Sequence, residues 1–468
     1  MSLMSAVVRN VFYPLWTIKD GDAAQLSLLN KFDDVDTMTV DQLRARQQYR
    51  LQEILEYAYE NVEYYRTTFN DCGFTPKSPD PARFRGLPLL TKEIIRANLP
   101  RLIARNLPAE RLIHARTGGS TGLPMTFVRD KNCIYLRKAQ ELYFDSWMGY
   151  RLGDKAALFV AASHHDSFGD RWKAVLRNAT CERMLRFDPH HITDEYMEAF
   201  ARDYRDFAPT IVKCFPNSLA VFAEFVNRRG VELPRVRAIS CTGENLYAQQ
   251  RRLFADTFGG EVFEKFGTRE CGVIACECRQ HRGMHLFLDG AYVEILDENG
   301  NPAEPGEMGR VVVTDLFNRG MPLIRYEIGD LAVVAKNSVC PCGSPLPLIE
   351  RIVGRDRDIL YDGDGNPKPG YLFVEAINSV DLEAQFQVIQ TDWTELLVKV
   401  VNRSGGNLDL TDLQARFQKI VGPRVRVRFE HVEAISRDPS GKYRYVTSQL
   451  PPGRPPVRDH VSSARVSV

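Results

Sequence analysis

Five short segments carry residue types that could act together on a nucleotide and a carboxylate. The first is Thr117-Gly118-Gly119-Ser120-Thr121-Gly122, closed by Leu123 and Pro124. Glycines let a backbone approach an anion closely, and free N–H groups with seryl and threonyl hydroxyls cradle phosphate oxygens. No Lys-Ser/Thr pair follows the glycines, so this is not a Walker loop. In Phe263-Glu-Lys-Phe266-Gly267-Thr268-Arg-Glu270-Cys271, an aromatic, a glycine and a hydroxyl precede a carboxylate. With that spacing the backbone and Thr268 could meet a nucleotide while Glu270 holds a divalent ion on its phosphates. Asp330, just after the turn glycine Gly329, could accept both hydroxyls of a ribose. Arg355 follows, and finally Asp438-Pro-Ser-Gly441-Lys442 places a lysine on a turn, from which it could reach a substrate as a point charge.

The cysteines suggest a second site. Five of the ten are scattered, whereas Cys271, Cys276, Cys278, Cys340 and Cys342 bunch. Three thiolates and an imidazole suit tetrahedral zinc, and Cys278-x-x-His281 with Cys340-x-Cys342 supplies two close pairs. On spacing alone Cys276 or His285 can replace one of these four. With every position filled by protein, such a zinc is structural: it pins the region after Glu270 to the loop before Arg355.

The elements that must hold these groups are legible in outline. Leu43, Leu51, Ile54, Leu55 and Ala58 recur at helical spacing between Val40 and Glu60, and Thr91 stands where it can cap a helix beginning Lys-Glu-Ile-Ile. Beyond residue 100, apolar runs such as Ala156 to Ala162, Thr210 to Phe215 and Ala238 to Gly243 alternate with amphipathic stretches, the mark of a layered α/β domain. From 291 to 335 the pattern changes to strands with turn-rich connections, which read as a mostly antiparallel sheet or distorted barrel. The Gly/Pro/Asp-rich stretch 362–370 opens a smaller unit of mixed strand and helix. The expectation is therefore a large multi-subdomain N-terminal domain, 1–354, a hinge at 355–358, a small mobile α+β domain, 359–450, and a disordered tail, 451–468.

Charge and composition exclude several classes. Sixty-one basic against 60 acidic residues give a net +1, without the basic excess that nucleic acid or a membrane surface demands. No apolar run reaches the ~18 residues of a membrane span, and no signal peptide is evident, so the expected compartment is the cytoplasm.

Taken together and in this order, the five segments resemble the adenylate-forming superfamily of acyl-CoA synthetases, adenylation domains and luciferases. Leu55-Glu-Tyr-Ala-Tyr-Glu-Asn-Val-Glu-Tyr-Tyr-Arg66 and Met321-Pro-Leu-Ile-Arg-Tyr-Glu-Ile-Gly-Asp330 are similar to its phenylacetate-CoA ligase and CapK-like branch in particular, and the cysteine region resembles that branch's metal-containing members. The resemblance implies a catalyst that converts a carboxylic acid, with ATP and Mg2+, to an acyl adenylate and then to a CoA thioester. An aryl or arylacetic acid is the leading candidate. It further implies that Thr117 to Gly122 bind the triphosphate and that Gly243 and Glu244 line the adenine pocket. Phe266, Gly267 and Thr268 would flank the adenine and acyl phosphate, Glu270 would bind magnesium, Asp330 the ribose and Arg355 the ribose or phosphates. Lys442 matches the catalytic lysine that bridges the substrate carboxylate and the α-phosphate. The acyl pocket is expected near Phe215 to Ser218, Cys241, Thr242 and the pair His164-His165. One departure stands out: the hinge reads Gly354-Arg-Asp-Arg357-Asp358 where the family carries Gly-Arg-x-Asp-Asp. Two other readings stay open at this point, transfer of the acyl adenylate to an amine, hydroxyl or carrier protein, and a zinc-stabilised binding protein with a decayed ATP site.

Overall fold

The computed structural model describes residues 3–77, 80–117, 125–160, 168–188, 193–355, 359–380, 382, 384–402, 408–435 and 445–450. These form two compact units, one ending at Val353 and the other beginning at Gly354. The glycine-rich loop from Gly118 to Gly122, the His164-His165 pair, the hinge residue Arg357, Lys442 and the tail lie outside the described residues.

The first unit starts with the helix Val40–Asn61. Thr39 and Gln42 cap it reciprocally, each side chain accepting from the other's backbone N–H, which satisfies two amides that a helix start leaves free. Leu43, Leu51, Ile54, Leu55 and Ala58 all turn inward. Thr91 does accept from the Ile94 N–H, at 3.3 Å, and opens the helix Lys92–Leu102.

Thirteen strands follow. β1 (Leu112–Arg116) and β2 (Thr126–Asp130) form an antiparallel hairpin around the glycine-rich loop. β3 (Ala156–Phe159), β4 (Met184–Arg186), β5 (Ile211–Cys214), β6 (Ala238–Thr242), β7 (Glu261–Thr268), β8 (Gly272–Glu277), β9 (Met284–Leu286), β10 (Ala291–Leu296), β11 (Met308–Asp315), β12 (Tyr326–Val334) and β13 (Leu348–Arg355) make one sheet. Its order is β10-β11-β12-β13-β9-β8-β7-β6-β5-β3-β4. From β4 to β7 the pairing is parallel, and β7 to β9 and β10 to β12 pair antiparallel. The antiparallel strands expected as a barrel thus continue the parallel sheet, because β9 and β13 hydrogen-bond the two regions into one ribbon.

Both faces of the parallel part are covered, which is why its strands read as unbroken apolar runs. Ala156 and Leu158 of β3 join Tyr143 and Phe144 of the helix Lys131–Trp147 on one face. Ala157 and Phe159 join Phe200, Phe222, Phe254 and Phe258 of three helices on the other. The helix Lys131–Trp147 also carries Asp145, wholly buried, which accepts from Lys213 of β5 at 2.6 Å and from Lys265 of β7. Two strands that bear the site are so tied to one helix.

The second unit pairs β14 (Ile359–Tyr361) with β15 (Pro367–Pro369) and builds a four-stranded sheet from β16 (Ala384–Asp392), β17 (Glu395–Asn402), β18 (Arg426–His431) and β19 (Val446–Ser448), in the order β18-β17-β16-β19. The helices Tyr371–Asn378 and Thr411–Val421 pack Phe373 and Phe417 together and Phe417 against Phe429 of β18, an α+β arrangement.

Candidate active site

β5, β6 and β7 are adjacent and parallel, so the segments leaving their carboxyl ends lie side by side. These segments are Phe215 to Ser218, Gly243-Glu244 and Thr268 to Glu270, and in open α/β sheets ligands bind outside such ends. Gly243 has φ 78°, a left-handed turn that a side chain would strain. Glu244 Oε2 then accepts from the backbone N–H of Asn217, at 3.0 Å, in the first turn of the helix Pro216–Arg229. The loop after β6 is thereby fastened to the one after β5. Cys241, expected beside the acyl pocket, faces away: its Sγ lies 3.5 Å from Cys214 Sγ inside the apolar core, because alternate residues of β6 point to opposite faces.

Gly267 is fixed by crowding. A Cβ there would stand 2.3 Å from the Gly272 carbonyl oxygen, across the bulge where β7 turns into β8. Thr268 Oγ1 accepts from the Cys271 N–H at 2.9 Å and closes the turn that displays Glu270. The Glu270 carboxylate is buried and accepts from the Tyr326 hydroxyl at 2.9 Å. Burial and the neighbouring Glu270 push the Tyr326 phenol far above its ordinary value, so it stays a donor. Arg137 grips the same turn from behind, donating to the Arg269 carbonyl at 3.4 Å and pairing with Asp315. Arg269 in turn donates to the Arg116 carbonyl at 3.3 Å, at the end of β1 that leads into the glycine-rich loop. Arg129 lies close by; burial, then Arg137 and Arg269, hold its guanidinium below the usual arginine value, and its Nε is buried without a hydrogen-bond partner. Such a gathering of cations suits a polyanion. Spacing gave no sign of Tyr326, Arg129 or Arg137, which meet Glu270 and its turn only through the fold.

Thr117, at the mouth of the glycine-rich loop, exchanges hydrogen bonds with Met125 at 2.9 Å through both its N–H and its Oγ1. Phe266 is buried in the core. Asp330 is part-buried on β12, after Gly329 at φ 84°. The approach to β12 is built around Arg325, a non-glycine residue at φ 49°, which is buried, paired with Glu294 at 3.0 Å and donating to the carbonyls of Arg85 and Leu87. Tyr65, from the tyrosine-rich helical segment, donates to the Pro322 carbonyl at 2.8 Å and accepts from the Ile324 N–H at 3.1 Å. The two segments that carried the branch resemblance therefore touch. Arg355 ends β13.

The second site needs one correction. Cys278, His285, Cys340 and Cys342 converge, with their ligand atoms all within 4.8 Å of one another. His281 is turned away: it sits at φ 47°, and its ring meets Glu277 at 3.4 Å and Glu261 at 3.3 Å. His285 takes its place because β9 pairs with β13 and so lies beside the 340–346 loop, where Nδ1 contacts the Leu346 carbonyl at 2.9 Å. That bond fixes the tautomer and leaves Nε2, 3.4 Å from Cys342 Sγ, to bind. Cys276 is core, packed among aromatic residues. Three sulfurs and one imidazole nitrogen are the donor set of a structural tetrahedral zinc site.

Residues 112–316 match the AMP-binding enzyme family and residues 370–449 the CapK C-terminal domain. Protein CapK of Staphylococcus aureus is 23% identical, over 86% of this chain and 89% of its own. A phenylacetate-coenzyme A ligase of Thermus thermophilus is 25% identical, over 78% of this chain and 83% of its own. A crystal structure of 2-hydroxyisobutyryl-CoA ligase superposes with a TM-score of 0.72 at 21% identity, covering 89% and 91% of the two chains. The sheet with its ligand-binding edge and the small α+β unit are those of an adenylate-forming enzyme. Within that superfamily the chain belongs to the branch of the phenylacetate-CoA ligases and CapK.

Proposed function

We propose that the protein activates a carboxylic acid with ATP and passes the acyl group to CoA, as an AMP-forming acid-thiol ligase. The observation that carries this reading is the turn Thr268 to Glu270, held rigidly at the carboxyl end of β7 by Tyr326 and Arg137, in a chain matched along most of its length by phenylacetate-coenzyme A ligases. A carboxylate oxygen attacks the α-phosphorus of ATP, the bond to the β-phosphate oxygen breaks and pyrophosphate leaves. The thiol sulfur of CoA then attacks the acyl carbonyl and AMP departs.

Nucleophile and electrophile are both anionic, so the residues must supply positive potential without moving far. In this reading Thr117, Gly118, Gly119, Ser120, Thr121 and Gly122 hold the phosphates, Gly243, Glu244, Phe266 and Gly267 the adenine, and Asp330 with Arg355 the ribose. Glu270 would hold magnesium, which neutralises phosphate charge, and Lys442 would meet the carboxylate and α-phosphate. Residues 355–358 would act as a hinge. An aryl or arylacetic acid is the proposed substrate class, and Cys278, His285, Cys340 and Cys342 the proposed zinc ligands. Pyrophosphate release from MgATP over a panel of aryl, arylacetic and fatty acids, with and without CoA, tests the reading, with Lys442→Ala as control. A CoA thioester of one acid class, lost in the variant, is the expected result. Pyrophosphate release without a thioester would move the acyl group to another acceptor.

A further inference from the structure

Two guanidinium groups beside the turn Thr268 to Glu270 lack a carboxylate partner. Arg269 is exposed; its Nη1 donates to the Arg116 carbonyl at 3.3 Å, and its own carbonyl accepts from Arg137 at 3.4 Å. Arg129, on β2, is part-buried. Its guanidinium carbon lies 5.5 Å from the centre of the Phe127 ring, and its Nε is buried with no hydrogen-bond partner. Among the described residues neither Arg129 nor Arg269 forms an ion pair with a carboxylate. The acids that could have paired with them are engaged elsewhere. Asp315 is wholly buried and holds Arg137. Asp130, next to Arg129 in the chain, accepts from the backbone N–H groups of Cys133, Arg319 and Gly320. Glu270, next to Arg269, accepts from the Tyr326 hydroxyl and is the proposed magnesium ligand.

Arg137 and Arg269 both repel the Arg129 guanidinium, a cost that an anion lying between them relieves. Guanidinium N–H groups meet phosphate oxygens in pairs, and they stay charged at any working pH. Position in the fold selects which phosphates. Arg269 directly precedes Glu270 at the carboxyl end of β7, and the carbonyl that fixes it belongs to Arg116, the last residue of β1 before the glycine-rich segment. These are the flanks expected for the triphosphate, whereas the adenine is expected at Gly243 and Glu244 after β6.

We infer that Arg269 and Arg129 form the subsite for the β- and γ-phosphates of ATP and hold the pyrophosphate as it leaves. The inference rests on the ligase reading and gives a task to two residues that this reading leaves without one. As the bond between the α-phosphorus and the bridging oxygen breaks, its electron pair stays on the pyrophosphate, and fixed guanidinium groups there stabilise the developing charge. The test is calorimetry of the full-length protein with Mg-pyrophosphate, MgATP and AMP, together with pyrophosphate inhibition of thioester formation. Arg269→Gln and Arg129→Gln should each weaken pyrophosphate and ATP binding at least about tenfold and leave AMP binding unchanged. Arg269→Lys, which keeps the charge but not the planar fork, should lose less than Arg269→Gln. Equal losses for AMP and ATP, or an unchanged pyrophosphate affinity in the folded Arg269→Gln variant, would overturn the inference. So would a loss confined to CoA, which would give the pair to that molecule's phosphates. Pyrophosphate binding that needs both arginines, in a chain that activates no acid of the panel, would instead count against the ligase reading and support the subsite.

Discussion

Replacing Tyr326 with Phe removes one oxygen and keeps the ring that packs in the core. What is lost is the 2.9 Å hydrogen bond to Glu270, a buried carboxylate for which this hydroxyl is the side-chain donor. A hydrogen bond to a charged group contributes about 1.5–3 kcal/mol, and removing the outer partner of a metal-binding carboxylate weakens metal affinity about 10–100-fold. The two ranges agree, since 1.5–3 kcal/mol is a factor of roughly 10–150 in an equilibrium. Pyrophosphate release titrated with Mg2+ at saturating ATP should therefore show the half-saturating Mg2+ concentration rising at least about tenfold. ATP binding without Mg2+, measured by calorimetry, should barely change. An unchanged Mg2+ titration in a folded variant would refute the assignment of Tyr326 as the residue that positions Glu270. A loss of ATP binding without metal would point instead to general damage.

Other perturbations are as direct. Asp145→Ala strips the shared counter-ion, leaving the buried Lys265 ammonium uncompensated while Lys213 keeps Glu141, so urea unfolding should show a loss of about 3–5 kcal/mol. Metal analysis of protein purified without chelator should find about one zinc per chain, and Cys340→Ser or His285→Ala, but not His281→Ala, should release it. Burial, then the adjacent Glu277, push the Glu264 carboxyl up to about 8. Its folded value lies above the unfolded one, so the stabilisation is complete below the ordinary glutamate range and is lost as pH rises through about 8. Glu264→Gln should flatten the fall in melting temperature between about pH 5 and pH 8, and an identical pH profile would sink the point.

How much of this could be read in the chain depends on how local each signal is. Thr39 and Thr91 announce their helices because a cap is settled within three residues. The runs around β3, β5 and β6 announce buried strands because both faces are covered. The continuity of the sheet was not legible: the β9 to β13 pairing spans more than sixty residues and only two paired positions, Leu348 with His285 and Ile349 with Met284. That same pairing brings His285 rather than His281 to the three cysteines, a choice that spacing left open for the same reason. Spacing makes Cys278 and His281 a close pair, but the left-handed turn at His281 sends the ring to Glu277. Tyr326 lies in a motif that was visible, while its role depends on a residue 56 positions away.

The clasp of Tyr65 on Pro322 and Ile324 joins positions 257 and 259 residues apart. On a ribosome adding about 5–20 residues per second, Tyr65 waits roughly 12–50 s for its partners to be made. Through that interval the tyrosine-rich helices have much of their apolar stripe uncovered, for the core they share with Met321, Leu323 and Tyr326 does not yet exist. Closing so long a loop delays folding more than it costs stability. The N-terminal hundred residues are thus the segment with the longest exposure during synthesis, and the one on which a chaperone would act first.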